Sequence, residues 1–235
     1  VFTLAVNHFK SKGSCPTGTT NPDRDLKDGQ GCWNATRVQA ATDLMSWLAT
    51  NPTGNADKDV LIVGDLNSYA KEDPIVTLTN GGFINLIEKY HGQYGYSYQF
   101  NGELGYLDHA LASSSLSAQT SYAMEWHINA DESTLFDYNT ENKTLSQQAD
   151  YYQPSAFRAS DHDPVLVELK LASKNPADLD LDGDVDSNDV TLFNRLLRSG
   201  TKLSLVYDFN KDNKVDALDA RAMLFLCTYP NCAVK

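Results

Sequence analysis

The chain has 235 residues, 41% of them hydrophobic, with four cysteines and a net charge of −12. That length suits one good-sized domain plus a small one, and no apolar run in it reaches the roughly 20 residues of a membrane-spanning helix. The acidity excludes a broad basic face for nucleic acid, because like charge repels a phosphate backbone. It is unevenly spread: residues 1–172 carry 21 acidic and 11 basic side chains, and residues 173–235 carry 10 and 8.

The chain opens on Val1-Phe2-Thr3-Leu4-Ala5-Val6 with neither an initiator Met nor a signal peptide. It reads as an internal fragment, which leaves export open. Residues 1–8 alternate and predict a strand ending at Asn7-His8. Residues 9–33 are a long polar loop. From Asn34, a predicted N-cap, Val38, Ala41, Leu44, Met45 and Leu48 share one helical face until Asn51-Pro52. Residues 59–64 predict a buried strand. Asp73-Pro74 starts a short helix to Leu78. Residues 106–112, 120–128 and 164–171 predict further strands. This order predicts an α/β or α+β sandwich over residues 1–172. A linker follows at 173–177, and a small helical module at 178–235.

Four cysteines allow three pairings, and the sequence does not choose among them. The simplest is local, Cys15 with Cys32 and Cys227 with Cys232. Either pairing implies an oxidising compartment.

Four motifs sit at predicted strand ends: Asn7-His8, Gly64-Asp65-Leu66-Asn67-Ser68, Leu107-Asp108-His109 and Ser160-Asp161-His162-Asp163-Pro164. Strand ends can converge on one rim of a sandwich. Together they offer what phosphodiester hydrolysis needs: carboxylates for a divalent metal, an imidazole to move a proton, and donors for the charge developing on phosphorus. His109 should face away from Asp108 on a strand and be structural. His91 reads as a solvated loop residue, and His127 is placed near the cleft. Arg158 is a candidate phosphate contact.

In this order the four motifs resemble the endonuclease/exonuclease/phosphatase family of DNase I-like nucleases, abasic-site endonucleases, inositol phosphatases and sphingomyelinases. With residues 29–37 and Trp126-His127-Ile128-Asn129-Ala130-Asp131-Glu132 added, the match over about 1–171 resembles large extracellular nucleases of aquatic bacteria. The resemblance implies a DNase I-like fold of two packed sheets flanked by helices, and these roles. His162, oriented by Asp108, activates water or stabilises pentavalent phosphorus. Asp161 holds a divalent metal, Mg²⁺ or Mn²⁺. Asp65 and Asn67 position nucleophile and phosphate, with Asp65 a possible base or second ligand. His8, assisted by Asn7, protonates the leaving oxygen or binds phosphate. In that family an upstream half supplies an Asn and a Glu, the Glu a principal metal ligand. The chain is therefore expected to open in mid-domain with an incomplete metal site.

Beyond the linker, two acidic loops repeat about 30 residues apart. In the first, Asp178, Asp180, Asp182, Asp186 and Asp189 fall at loop positions 1, 3, 5, 9 and 12, Asp184 can offer its carbonyl at position 7, and Gly183 makes the turn. In the second, Asp208, Asn210, Asp212, Lys214 (by its carbonyl), Asp216 and Asp219 repeat the positions around Asn213. This spacing wraps a hard Ca²⁺ ion in oxygens. An amphipathic helix follows each loop. The two are expected to pack antiparallel through Leu192, Phe193, Leu196, Met223 and Leu224, with Cys227–Cys232 as a clasp. The pair of loops resembles a type I dockerin, which implies two Ca²⁺ ions and a cohesin-like or cell-surface partner. At the helix starts, Ser187-Asn188 and Ala217-Leu218 keep only half of a cohesin-reading Ser/Thr pair in one repeat.

The function expected is a secreted bacterial metal-dependent DNase acting on DNA, and on RNA as an extension, without membrane insertion. A phospholipid or sugar-phosphate phosphodiesterase is the first alternative. It is disfavoured by the lack of an evident apolar hairpin. An inert fragment attached through its calcium module is the second.

Overall fold

The computed structural model describes residues 1–54, 57–137, 139–141, 143–152, 154–171, 175–180 and 182–234. The chain divides into two units, Val1–Leu171 and Ala172–Lys235. Part of the expected linker, 173–174, and Leu181 of the first acidic loop lie outside the described residues.

The first unit is built from β1 (Thr3–Val6), α1 (Asn34–Ala49), β2 (Val60–Asp65), α2 (Asp73–Asn80), β3 (Ile84–Asn85) and α3 (Leu86–His91). A hairpin of β4 (Tyr98–Phe100) and β5 (Glu103–Gly105) follows, then β6 (Asp108–Ala112), α4 (Ser114–Ala118), β7 (Thr120–Glu125), α5 (Leu145–Tyr151) and β8 (Val165–Leu169). One sheet has the order β1-β2-β6-β3, and β7 pairs β8 in another. β1 runs parallel to β2, and β6 runs antiparallel to both β2 and β3.

Strand alternation assigns the two faces of the larger sheet. Ile62 and Leu111 point to α1 and α2, meeting Ala41, Leu44, Ile75 and Leu78. Leu61, Ala110 and Ala112 point the other way, onto Ala123 of β7 and Val165 and Val167 of β8. The two sheets thus pack face to face with helices outside, an α/β sandwich. Ile62, Leu111, Ile75 and Leu78 are fully buried, each contributing about 1.5–3 kcal/mol of apolar transfer. On edge strand β1, Leu4 and Val6 are exposed.

The polar loop 9–33 has buried apolar anchors only near its ends, Phe9 and Cys32, and is held between them by Arg37, which is wholly buried. Its guanidinium donates to Ser68 Oγ, Lys10 O, Cys32 O and Gln30 O at 2.8–3.3 Å. The Cys15–Cys32 disulfide closes the same loop. Asn34 is not the N-cap of α1. It is the first helical residue, and the loop's Asp23 accepts from Thr36 N and Oγ1. His91 is not a solvated loop residue either. It ends α3 with Nε2 2.8 Å from Ala123 O and its ring against Tyr122.

The second unit has α6 (Ser187–Arg198) and α7 (Ala217–Met223). Its core is Ala177, Val185, Phe193, Ala220 and Met223. The expected helix contacts hold for Phe193 and Met223. Leu192 and Leu196 are only half-buried, and Leu224 lies past the end of α7 and is exposed. α7 stops short because the chain turns there toward Cys227, which is bonded to Cys232. Thr228 then ties this end to the first loop. Val185 N donates to Thr228 Oγ1 at 2.8 Å and Thr228 N to Val185 O at 2.9 Å.

Candidate active site

β1 and β2 approach closely where the motifs begin. Gly64 has φ +128°, and a Cβ there would lie 1.9 Å from Asn7 O. Only glycine lets Asn7-His8 and Asp65 share one sheet edge. Asn7 N and Phe9 N extend the parallel ladder onto Val63 O and Asp65 O. His8 Nε2 then lies 3.4 Å from Asp65 Oδ2.

Antiparallel register sets Asp65 directly opposite Asp108. Asp65 folds into an Asx turn, with Oδ1 accepting from Asn67 N at 2.7 Å and Oδ2 from Asn67 Nδ2 at 3.0 Å. Asn67 adopts φ 48° and also donates to Phe9 O at 3.1 Å. Burial, and then Asp108, raise the Asp65 pKa, against the Asn67 N–H and the two histidines.

His162 Nδ1 stands 2.7 Å from Asp108 Oδ2, which also accepts from Ser97 Oγ at 2.7 Å. Burial opposes charge on this imidazole. The Asp108 hydrogen bond and the carboxylates of Asp108, Asp65 and Asp161 outweigh it, and the His162 pKa is raised. Asp161 is exposed beside it. His109 points to the opposite face, fully buried, with Nε2 2.7 Å from Ser68 O. Burial lowers its pKa to about 4, so it stays neutral.

The loop bearing His162 is clamped from behind. Asp163, almost wholly buried, accepts from the backbone N–H groups of Ile128, Asn129 and Ala130 at 2.8–3.1 Å through Oδ1, and lies 2.9 Å from His127 Nδ1 through Oδ2. Asn129 Nδ2 donates to His162 O at 2.6 Å. Arg158, expected at a phosphate, is buried, and its Nη1 donates to Asn129 O at 2.8 Å. It holds Asn129 in the clamp and also lines, with Asp161 and Tyr98, a cavity beside the rim. The structure thus brings His8, Asp65, Asn67, Asp108 and His162 to one rim, with Asp161 beside His162, while Asn7 turns its Nδ2 to Ala5 O at 3.0 Å. Ser97, Asn129 and Asp163 are members the sequence reading gave no role. Asp163 stood in a quoted motif, and Ser97 lies in the alternating run Tyr96–Phe100 just before Asn101-Gly102, a hairpin signal.

Mg²⁺ and Mn²⁺ take hard oxygen donors and need only one or two carboxylates alongside substrate phosphate. Asp161 and Asp65 are carboxylates of that kind, and both act on His162. Among the described residues no group of three His, Cys, Asp or Glu ligand atoms within 4.8 Å of one another is found at this rim.

In the second unit, Asp178, Asp180 and Asp182, and again Asp182, Asp184 and Asp186, bring ligand oxygens within 4.8 Å of one another. Buried Oδ1 of Asp184 and Oδ2 of Asp186 have no hydrogen-bond partner, the condition a cation would relieve. Desolvation, and then neighbouring carboxylates, raise the pKa of Asp180 and of Asp184. The second loop repeats five of the first loop's backbone-to-side-chain bonds. Gly183 N and Asn213 N donate to Asp178 and Asp208. Asp180 N and Asn210 N donate to Asp189 and Asp219. Asp186 N and Asp216 N reach the other oxygen of the same pair. Asp182 N and Asp212 N likewise donate to Asp180 and Asn210, and Asp184 N and Lys214 N to Asp182 and Asp212. The oxygens clustered in the first loop suit a hard cation, and the second loop shares its backbone frame.

Residues 174–224 match the dockerin type I domain. "Ulvan lyase, long isoform" of Glaciecola sp. (strain KUL10) is 38% identical over 98 residues, 41% of this chain and 10% of that protein. Its namesake from Pseudoalteromonas sp. (strain PLSV) is 42% identical over 55 residues, 23% and 6%. The chain thus spans about a tenth or less of these curated relatives. Similar solved structures are an AP endonuclease from Archaeoglobus fulgidus (TM-score 0.38, 14% identity, 59% of this chain and 55% of that one) and a 3'-5' exonuclease from Neisseria meningitidis (0.35, 17%, 57% and 53%). A third is an endonuclease/exonuclease/phosphatase family protein from Bacteroides thetaiotaomicron (0.33, 17%, 40% and 34%).

Proposed function

We propose that the first unit is a metal-dependent phosphodiester hydrolase, a secreted DNase, and that the dockerin type I domain behind it binds two Ca²⁺ ions and attaches it to a cohesin-like or cell-surface partner. The observation that carries the enzymatic reading is the His162–Asp108 hydrogen bond of 2.7 Å, braced by Ser97 and set against Asp65 across the β2–β6 ladder. Asp108 holds Nδ1, which leaves Nε2 as the atom that takes or gives a proton. Asn67 and Asp65 orient the nucleophile and the phosphate, and His8 with Asn7 faces the leaving oxygen. A divalent ion at Asp161 and Asp65 supplies Lewis-acid stabilisation of phosphoryl charge when bound. Two disulfides fit an oxidising, extracellular setting. The short stretch shared with ulvan lyases supports a shared module, not a shared reaction.

A second reading has gained an observation. The β4–β5 hairpin exposes Phe100 and Leu104, the apolar hairpin whose apparent lack counted against a phospholipid substrate. Incubation with plasmid DNA and with sphingomyelin vesicles, each with Mg²⁺ and with chelator, decides between them. Metal-dependent nicking of DNA without lipid turnover is expected. Turnover of lipid alone would replace the DNase reading.

A further inference from the structure

The rim opens on one side into a cavity of about 500 Å³, within the range of roughly 300–1,000 Å³ for small-ligand sites. Tyr69, Tyr98, Phe100 and Leu107 line it, together with the disulfide-closed loop around Lys12 and with His162 itself. The rings are already arranged in series. Tyr98 stacks on His162 at 4.5 Å and on Phe100 at 6.4 Å between centroids. Tyr69 fills the space a Cβ on Gly105 would need, 2.7 Å away, which seats it against the hairpin backbone. Lys12 Nζ lies 4.4 Å from the Tyr69 centroid and pairs with Glu72.

Charge tells what such a cavity accepts. Besides His162, its charged lining groups are Lys12 and Asp25, of opposite sign, so there is no cationic surplus for a phosphate. A surface of net charge −12 adds none. What remains is a ring-walled, nearly neutral space contiguous with the hydrolytic histidine. The uncharged planar part of a polynucleotide next to its phosphodiester is the base, and stacking on aromatic side chains is how proteins hold unpaired bases.

We infer that this cavity is a stacking subsite for an unpaired nucleobase of single-stranded DNA, with the Cys15–Cys32 loop as one wall. The inference rests on the phosphodiesterase reading and names its substrate. In a duplex the same base is paired and stacked, and entry requires it to be flipped out at a cost. Single strands are therefore favoured over continuous duplex.

The test is a titration of the protein with a short oligodeoxynucleotide carrying 2-aminopurine, single-stranded and in duplex, alongside hydrolysis of methyl p-nitrophenyl phosphate. Saturable quenching by the single strand is expected, with weaker binding of the duplex. Phe100→Ala, at an exposed position, is expected to lower single-strand affinity about tenfold, within the range for loss of one base–aromatic stack. Phe100→Tyr restores it. Equal quenching by duplex, no quenching, or an unchanged affinity in Phe100→Ala overturns the subsite. So does loss of sphingomyelin-vesicle binding, in place of oligonucleotide binding, in Phe100→Ala. Hydrolysis of the small diester without quenching sinks the subsite and leaves the enzyme reading standing. Quenching that responds to Phe100 without hydrolysis upholds the subsite and sinks the enzyme reading.

Discussion

Glu125 offers a test of the core that needs no ligand. It ends β7, is 3% exposed, and has one oxygen, Oε1, without a partner, while Oε2 accepts from Tyr96 N at 3.0 Å. Burial first, then the charges of Asp163 and Asp108, push its pKa up to about 7, against the Tyr96 N–H. An unfolded glutamate titrates near 4.3. Between those two values the folded state holds a proton that the unfolded state has released. Stability therefore falls as pH rises through that window and levels off above it. At about 1.4 kcal/mol per pKa unit, the loss is on the order of 4 kcal/mol. Glu125→Gln keeps the shape and removes the titration. Trp33, Trp47 and Trp126 all lie in the first unit, so tryptophan fluorescence during urea unfolding reports that unit alone. The difference in unfolding free energy between wild type and Glu125→Gln should shift in the variant's favour between pH 5 and pH 8. A fixed offset is allowed, because the amide replaces a carboxyl whose Oε1 has no hydrogen-bond partner. A difference that does not move with pH would refute the reasoning.

Two further perturbations probe other links. Gly64→Ala must displace Asn7 O from a 1.9 Å clash at a left-handed φ. It should cost about 3 kcal/mol or more, in the upper tail of point substitutions, by the same fluorescence assay, and a cost under 1 kcal/mol would contradict the described approach of β1 and β2. The dockerin domain should gain helical circular dichroism with Ca²⁺, since bound ions relieve the carboxylate cluster and link each loop to α6 or α7. A full signal in chelator, unmoved by Ca²⁺ and by the Mg²⁺ control, would remove the calcium sites.

Much of the site is legible because its residues are local to strand ends. Gly64-Asp65-Leu66-Asn67 carries its own turn. The alternation that sends Asp108 to the rim sends His109 to the core. The acidic loops are equally legible, since a loop that wraps an ion has its ligands at fixed spacing. What the sequence hides is long-range. Arg37 and Asp163 look like surface charges, yet both are buried, because carbonyls of the 9–33 loop surround one and three N–H groups of the 128–130 turn surround the other. The partners of Asp163 are more than 30 residues away, and those of Arg37 are carbonyls of an irregular loop, so neither leaves a periodic signal. His91 is hidden in the same way, its partner being Ala123 O on β7, 32 residues on. The β4–β5 hairpin, by contrast, was available: Asn101 and Gly102 both take positive φ at its turn, as an Asn-Gly pair between alternating residues signals.

The central claim is that His162 and Asp108 work as a hydrolytic pair. Its most direct measurement is single-turnover cleavage of single-stranded DNA with Mg²⁺, comparing wild type with His162→Ala and Asp108→Asn. The account predicts chelator-sensitive cleavage that falls by about a hundredfold or more in each variant, with unfolding transitions unchanged. Cleavage within about tenfold of wild type, a difference of ~1.4 kcal/mol, in the correctly folded His162→Ala protein would contradict it.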